Sequence, residues 1–300
     1  IHHKLPSSLF SCLKLKHLSL ASSIFTPPPP ATFTGFCGLI SLKLENVTIG
    51  ADFFHNLISK SPLLEELNLQ YCINIDILEI GAPNLKSLYF EGPLKSIGLK
   101  NTPLLSTVMI VKTDEPASFN GGQTCNMTKV FCGLRVVECL CLNNGILKYL
   151  AEDSIPEMLP STLDHLKRLE LYDLNLGIKA QVSCALCLIR SSPNLQKLEI
   201  TVSFHEQVIM LCILKIRIEF LDCPSRDGCL NRLRLALLTP FNGTIHELEL
   251  VKFLLANSSV LEIMHIETPA DMAPEVHSKI LRKIVRFPRA STKAEIFYED

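Results

Sequence analysis

The 300-residue sequence has almost no net charge: 29 basic side chains stand against 30 acidic ones, a formal charge of −1. A chain so balanced has no long-range field to draw nucleic acid or a charged bilayer, and neither is an expected partner. Long apolar runs are missing too. The longest, 208–214, stops at Lys215, far short of the ~20 residues that a bilayer crossing needs. No transmembrane helix is expected. The opening "IHHKLPSSLFSC" lacks the charged, apolar and small-residue succession of a signal peptide, so the expected compartment is cytoplasm or nucleus. Also absent are a nucleotide-binding glycine loop, a nucleophile elbow and a zinc-protease histidine pair. The adjacent His2 and His3 read as solvent-exposed and inert, and Glu65 and Glu66 as part of a wettable strand face. The chain is therefore not expected to be an enzyme, and no catalytic residue, cofactor or metal ligand is assigned.

What is present points to an ordered protein: 47% of the residues are hydrophobic and 20% charged. The 12 cysteines are scattered through apolar stretches, as free thiols in a reducing compartment would be. Cys184 and Cys187 form a Cys-x-x-Cys with no second pair to complete a tetrahedral zinc site, and read as helix core packing. Four Asn-x-Ser/Thr triplets, at Asn46, Asn126, Asn242 and Asn257, carry no meaning without entry to the secretory path.

The dominant signal is a repeat, L-x-x-L-x-L with other aliphatics tolerated. Copies begin at Leu15, Leu39, Leu64, Leu85, Leu105, Val137, Leu166, Leu195, Leu230 and Leu261. The alternating x-L-x-L half is the period-2 signature of a strand with one buried face, and the spacing leaves room for a return path. The expected fold class is α/β: a leucine-rich-repeat solenoid, a curved parallel sheet with helices, loops and short strands on its convex side. Pro62, Pro83, Pro103 and Pro193 each precede a unit's first leucine by two residues and end whatever comes before the strand. Helical spacing in 51–61 and 180–192 predicts convex helices, whereas Ile75/Leu78/Ile80 and Leu94/Ile97/Leu99 are too close to their neighbours for one and predict convex strands. Residues 112–130 and Pro27–Pro30 read as loops.

From about Cys229 the order becomes strand, helix, strand, helix, strand. Thr244 and Glu247 have capping-box spacing, and Val276, Ile280, Ile284 and Val285 form the apolar face of a second helix that must stop before Pro288. These residues, "CLNRLRLALLTPFNGTIHELELVKFLLANSSVLEIMHI" and "KILRKIVRFPRASTKAEIFYE", resemble the C-terminal FBD module of the plant F-box/FBD/LRR-repeat proteins. "LPSSLFSCLKLKHLSLASSIFTPPP", "LISLKLENVTI" and "SPLLEELNLQYC" resemble the repeat region of the same family. The resemblance implies two domains: 1–220, an N-terminally truncated leucine-rich-repeat region, and 221–300, an FBD domain that continues and caps the solenoid. It also implies a noncatalytic interaction scaffold, the substrate-recognition part of an F-box receptor of a Skp-cullin-F-box ubiquitin ligase. The F-box itself is expected to be missing from this chain, so a Skp-type adaptor is a partner only if an F-box lies upstream. The alternatives are a truncated, F-box-less product acting only as a binding or competitor module, and a small-molecule-sensing receptor.

A protein substrate would dock on the concave face made by the x positions of the repeat. Unit by unit these are His17/Ser19, Ser41/Lys43, Glu66/Asn68, Ser87/Tyr89, Thr107/Met109, Cys139/Cys141, Arg168/Glu170, Lys197/Glu199, Arg232/Arg234 and Ile263/His265. The ends of the row are polar and its middle apolar, which makes Tyr89, Met109, Val111, Cys139, Cys141 and Tyr172 the candidate partner-binding patch, unless the 112–130 loop covers it. In the closing stretch, Arg282, Lys283 and Arg286 suit the negative end of a helix, and Ala294, Ile296 and Tyr298 alternate as a last, capping strand. Ser291, in an Arg-x-Ser context, and the basic cluster offer the competing readings of a kinase site and a nuclear signal.

Overall fold

The computed structural model describes residues 3–4, 9–10, 12, 14–25, 33, 35–113, 127–152, 155–203 and 230–299. The chain divides into two compact units, Ile1–Val137 and Glu138–Asp300. The sequence reading divides it instead at 220/221, where 204–229 lie outside the described residues.

The first unit runs β1 (His3–Lys4), β2 (His17–Ala21), β3 (Ser23–Phe25), β4 (Ser41–Glu45), β5 (Thr48–Ile49), α1 (Ala51–Ser59) and β6 (Glu66–Gln70). It continues with β7 (Ile77–Gly81), β8 (Ser87–Gly92), β9 (Ser96–Lys100), β10 (Thr107–Lys112) and α2 (Met127–Cys132). Its main sheet is wholly parallel in the order β10-β8-β6-β4-β2. Strands β7 and β9, which carry the two closely spaced extra copies of the repeat, pair with each other and not with that sheet, as their spacing predicts.

One device repeats at the entry to each sheet strand. The N–H of the first leucine bonds the carbonyl three residues back: Leu64 to Ser61, Leu85 to Ala82, Leu105 to Thr102 and Leu195 to Ser192. Each bond closes a β-turn whose second residue is one of the four prolines, pre-set for it by the fixed φ of the ring. The turn tips the leucine inward, and alternation does the rest. Leu42/Leu44, Leu67/Leu69, Leu88/Phe90 and Val108/Ile110 are all at most 1% exposed, while the residues between them lie on the opposite sheet face.

The second unit runs β11 (Cys139–Asn143), α3 (Asn144–Leu150), β12 (Arg168–Leu174), α4 (Lys179–Arg190), β13 (Lys197–Val202), β14 (Leu235–Thr239) and α5 (Ile245–Asn257). It ends with β15 (Ile263–Glu267), α6 (Pro274–Ile284) and β16 (Glu295–Glu299), and its strands form a parallel sheet in chain order from β11 to β16. Cys184 and Cys187 are fully buried in α4, where they pack as core.

Three expectations need correction, and the competing reading of Ser291 as a kinase site also meets the structure. The ninth repeat copy is Leu233/Ala236/Leu238, not Leu230/Leu233/Leu235, because Ala236 pairs with Leu198 and Leu238 with Ile200. A small alanine in a leucine position concealed a shift of three. The sheet-face positions there are accordingly Leu235 and Leu237, each half-buried, and the exposed Arg232 and Arg234 precede the strand. In α6 only Ile280 and Ile284 are buried, while Val276 and Val285 face outward at 39% and 64% exposure. The 112–130 stretch is not loop throughout: Lys112 ends β10 and α2 begins at Met127. Residues 114–126 between them, which would have to cover the patch, lie outside the described residues, as do Pro27–Pro30. Ser291, finally, is buried with its hydroxyl donating to the Leu261 carbonyl at 2.7 Å, which removes it from the reach of a kinase.

The capping box at the start of α5 forms as its spacing predicts, and Glu247 does more than close it. This carboxylate, 1% exposed, accepts from the N–H of Thr244 at 2.7 Å and from that of Asn242 at 3.2 Å. Glu247→Ala leaves both donors without this acceptor in a part-buried turn, an expected loss of about 1–2 kcal/mol. Glu247→Gln, which keeps an acceptor oxygen, should lose less than half of that in a urea titration.

Candidate functional site

In both units the residues between the buried leucines form ladders across the sheet, because parallel pairing in register puts equivalent positions side by side. In the first unit, Asn68, Tyr89 and Met109 form one rung, and Gln70, Glu91 and Val111 the next. The structure thus brings three of the candidate patch residues, Tyr89, Met109 and Val111, together on one face, each half-buried. The patch is less apolar than composition suggests. Tyr89 donates its hydroxyl to Glu91 at 2.7 Å, and Tyr71 donates to the other oxygen of the same carboxylate. Burial and this anionic acceptor push the Tyr89 phenol well above its usual range, and the Glu91 bond raises Tyr71. Both rings are held as neutral donors, which fixes an aromatic surface around one carboxylate.

The other three patch residues, Cys139, Cys141 and Tyr172, lie in the second unit on β11 and β12. Register places Cys139 opposite Arg168, Cys141 opposite Glu170 and Asn143 opposite Tyr172. These groups form a polar cluster and not an apolar surface. The Cys139 and Cys141 sulfurs are 3.9 Å apart, and the Cys141 thiol reaches Glu170 Oε2 at 3.1 Å. Tyr172 donates to that same oxygen at 2.6 Å, and Arg168 pairs with Oε1. Cys141 and Glu170 are each 6% exposed, so neither offers a partner much surface.

The electrostatics of the cluster follow from those contacts. A hydrogen bond from Cys141 draws the Cys139 thiol down to about 7, aided by Arg168 and Lys197 against the opposing effects of burial and Glu170. Cys141 is driven far upward, first by that shared bond, then by burial and by Glu170. Burial also raises Glu170, but bonds from Tyr172 and Cys141 and the charge of Arg168 outweigh it and leave the carboxyl below its usual value. Burial and Glu170 raise Tyr172. The Cys-x-Cys spacing was visible in the sequence, but its carboxylate partner was not. Glu170 becomes visible only when the second x positions of consecutive repeats are set side by side.

The corrected register also changes the C-terminal part of this face. Leu235 lies beside Ile263, and Leu237 beside His265, which in turn lies beside Phe297. Ile263 and Phe297 are 37% and 41% exposed. The second unit therefore carries apolar side chains at a place that reads as arginines when the repeat is set three residues too early.

The fold has counterparts among known proteins. Residues 1–200 match the family profile described as "FBD-associated F-box protein At5g56370, LRR repeats", and residues 229–266 match the FBD profile. The F-box/FBD/LRR-repeat protein At1g13570 of Arabidopsis thaliana is 32% identical over 300 residues, an alignment covering 98% of this chain and 70% of the relative. The F-box/LRR-repeat protein At3g62440 of the same plant is 24% identical over 337 residues, again covering 98% of this chain and 70% of the relative. The chain belongs to the F-box/FBD/LRR-repeat family, as a leucine-rich-repeat interaction module joined to an FBD segment.

Proposed function

We propose that this chain is the noncatalytic substrate-recognition part of a Skp-cullin-F-box ubiquitin ligase receptor, selecting a protein partner with the open face of its sheet. The observation that carries this reading is the two adjacent rungs of half-buried side chains that hold Tyr89, Met109 and Val111, set on parallel strands in a family whose members are named for an F-box. Strands make a better platform than loops for recognition, because register fixes the spacing between side chains before a partner arrives. The Skp-type adaptor would bind an F-box, and the site of action would be cytoplasm or nucleus.

The test is capture in plant cells. The wild-type chain should enrich a protein whose ubiquitination falls when the chain is depleted. Tyr89→Asp with Met109→Asp should abolish that enrichment, since two carboxylates beside Glu91 oppose docking of any apolar or acidic contact, while the melting transition stays cooperative. Enrichment that survives the double substitution would remove this face from the proposal. Ubiquitination that does not respond to depletion would remove the ligase role.

A further inference from the structure

The polar cluster of the second unit offers a protein partner little at its centre, because Cys141 and Glu170 are buried. It does have what a small cation needs. We propose that Cys139, Cys141 and Glu170 form a site for a thiophilic divalent cation, zinc being the occupant, with Tyr172 and Arg168 holding the carboxylate ligand in place. This site stands independently of the docking face described above.

The geometry is already close to that of a filled site. The ligand atoms of all three residues lie within 4.8 Å of one another. Two thiolates bound to one tetrahedral zinc, at about 2.3 Å each, stand about 3.8 Å apart, and the two sulfurs here are 3.9 Å apart. Alternation along β11 puts both cysteines on one face, and parallel register brings Glu170 of β12 beside Cys141. All three ligand atoms thus lie within reach of a single ion.

Charge and ligand type support the same assignment. Cys139, Cys141 and Glu170 carry three negative charges when all are ionised; zinc offsets two, and the Arg168 guanidinium paired with Glu170 offsets the third. The other nearby cation, Lys197, is engaged with Glu199 at 2.8 Å. Two sulfurs and one oxygen favour zinc over magnesium or calcium, which take oxygen ligands. Binding would release the protons of whichever thiols remain protonated, and the Cys141 proton now shared with Glu170 Oε2 would give way to the metal. The hydroxyl of Tyr172 on that oxygen is the kind of outer contact that orients a carboxylate ligand. Cys139 is half-exposed, so the fourth position would open toward solvent and admit water or an incoming donor.

The probe is cobalt(II), added under reducing, anaerobic conditions to the purified chain after chelator treatment. One equivalent should produce a sulfur-to-metal charge-transfer band, and zinc should bleach it. Cys139→Ser and Cys141→Ser should each abolish the band, whereas Cys37→Ser and Cys132→Ser, at exposed thiols outside the cluster, should retain it. Tyr172→Phe should lower the zinc affinity about tenfold while keeping the band. Circular dichroism of Cys139→Ser, a half-exposed position, separates lost ligation from lost folding. A wild-type chain without the band, a band surviving either cluster substitution, or cobalt that zinc fails to displace would each overturn the assignment.

Discussion

Deleting residues 287–300 should lower the melting temperature of the second unit by about 10 °C or more, or render the chain insoluble. Strand β16 pairs with the whole of β15, from Ile263 beside Glu295 to Glu267 beside Glu299. Further bonds tie the segment down, among them Ala290 N–H to the Leu255 carbonyl, the Ser291 hydroxyl to the Leu261 carbonyl, and Thr268 N–H to the Glu299 carbonyl. Removing it would strip β15 of one of its two hydrogen-bonded neighbours and uncover one side of Met264 and Ile266, both fully buried. A bare parallel edge with an apolar face is a template for association between chains, which is why loss of solubility is the alternative form of the same result. If the truncated chain melted at the wild-type temperature and stayed monomeric, β16 would be an accessory and not the closing strand. The basic residues ahead of it fit the structural account: Arg282 and Lys283 occupy the last turn of α6, where cations oppose the negative end of the helix.

That closing strand was legible in the sequence because it obeys the period-2 rule. So were the sheet strands, the β7/β9 pair and the capping box of α5. What failed did so for identifiable reasons. Leu233/Ala236/Leu238 does not stand out as a repeat copy, since an alanine satisfies the burial demand of a crowded position without announcing it. The register that starts at Leu230 puts two arginines on the face in place of two leucines. Helix α3 went unread because it begins directly at the end of β11, with Asn143 serving both as the last strand residue and as the N-cap, its side chain accepting from Ile146 N–H at 3.2 Å. Val276 and Val285 share the apolar spacing of Ile280 and Ile284, but apolarity is not burial, and α6 buries only a narrow stripe. The candidate patch shows the deepest limit. One-dimensional spacing gives the residues on a strand, but whether neighbouring rungs become an apolar surface or a cluster of ligands depends on what the next repeat places beside them. At Tyr89 that neighbour is Met109; at Cys141 it is Glu170.

Phe25→Ala should cost about 3–5 kcal/mol, while Ile24→Ala, one residue away, should cost less than about 0.5 kcal/mol. The contrast follows from where alternation sends the two side chains of β3. Phe25 is 1% exposed and Ile24 is 40% exposed. Phe25 stacks on Phe10 with ring centroids 5.6 Å apart and meets Phe53 of α1 edge-on at 5.3 Å, while Phe53 also touches Phe10 and Phe33. This aromatic group joins β3, α1 and the segment around Phe33 and Phe36 at one point. A truncated ring there leaves a cavity that flat, mutually packed rings cannot collapse to fill, so the cavity cost adds to the lost transfer energy. Chemical denaturation of the two variants beside the wild type reads the difference directly. Equal losses would mean that β3 is held by its backbone pairing to β1 and β5 alone. A large loss confined to Phe25 would make the aromatic group the anchor of the N-terminal repeats, and hence of the strands that carry Tyr89 and Met109 beyond them.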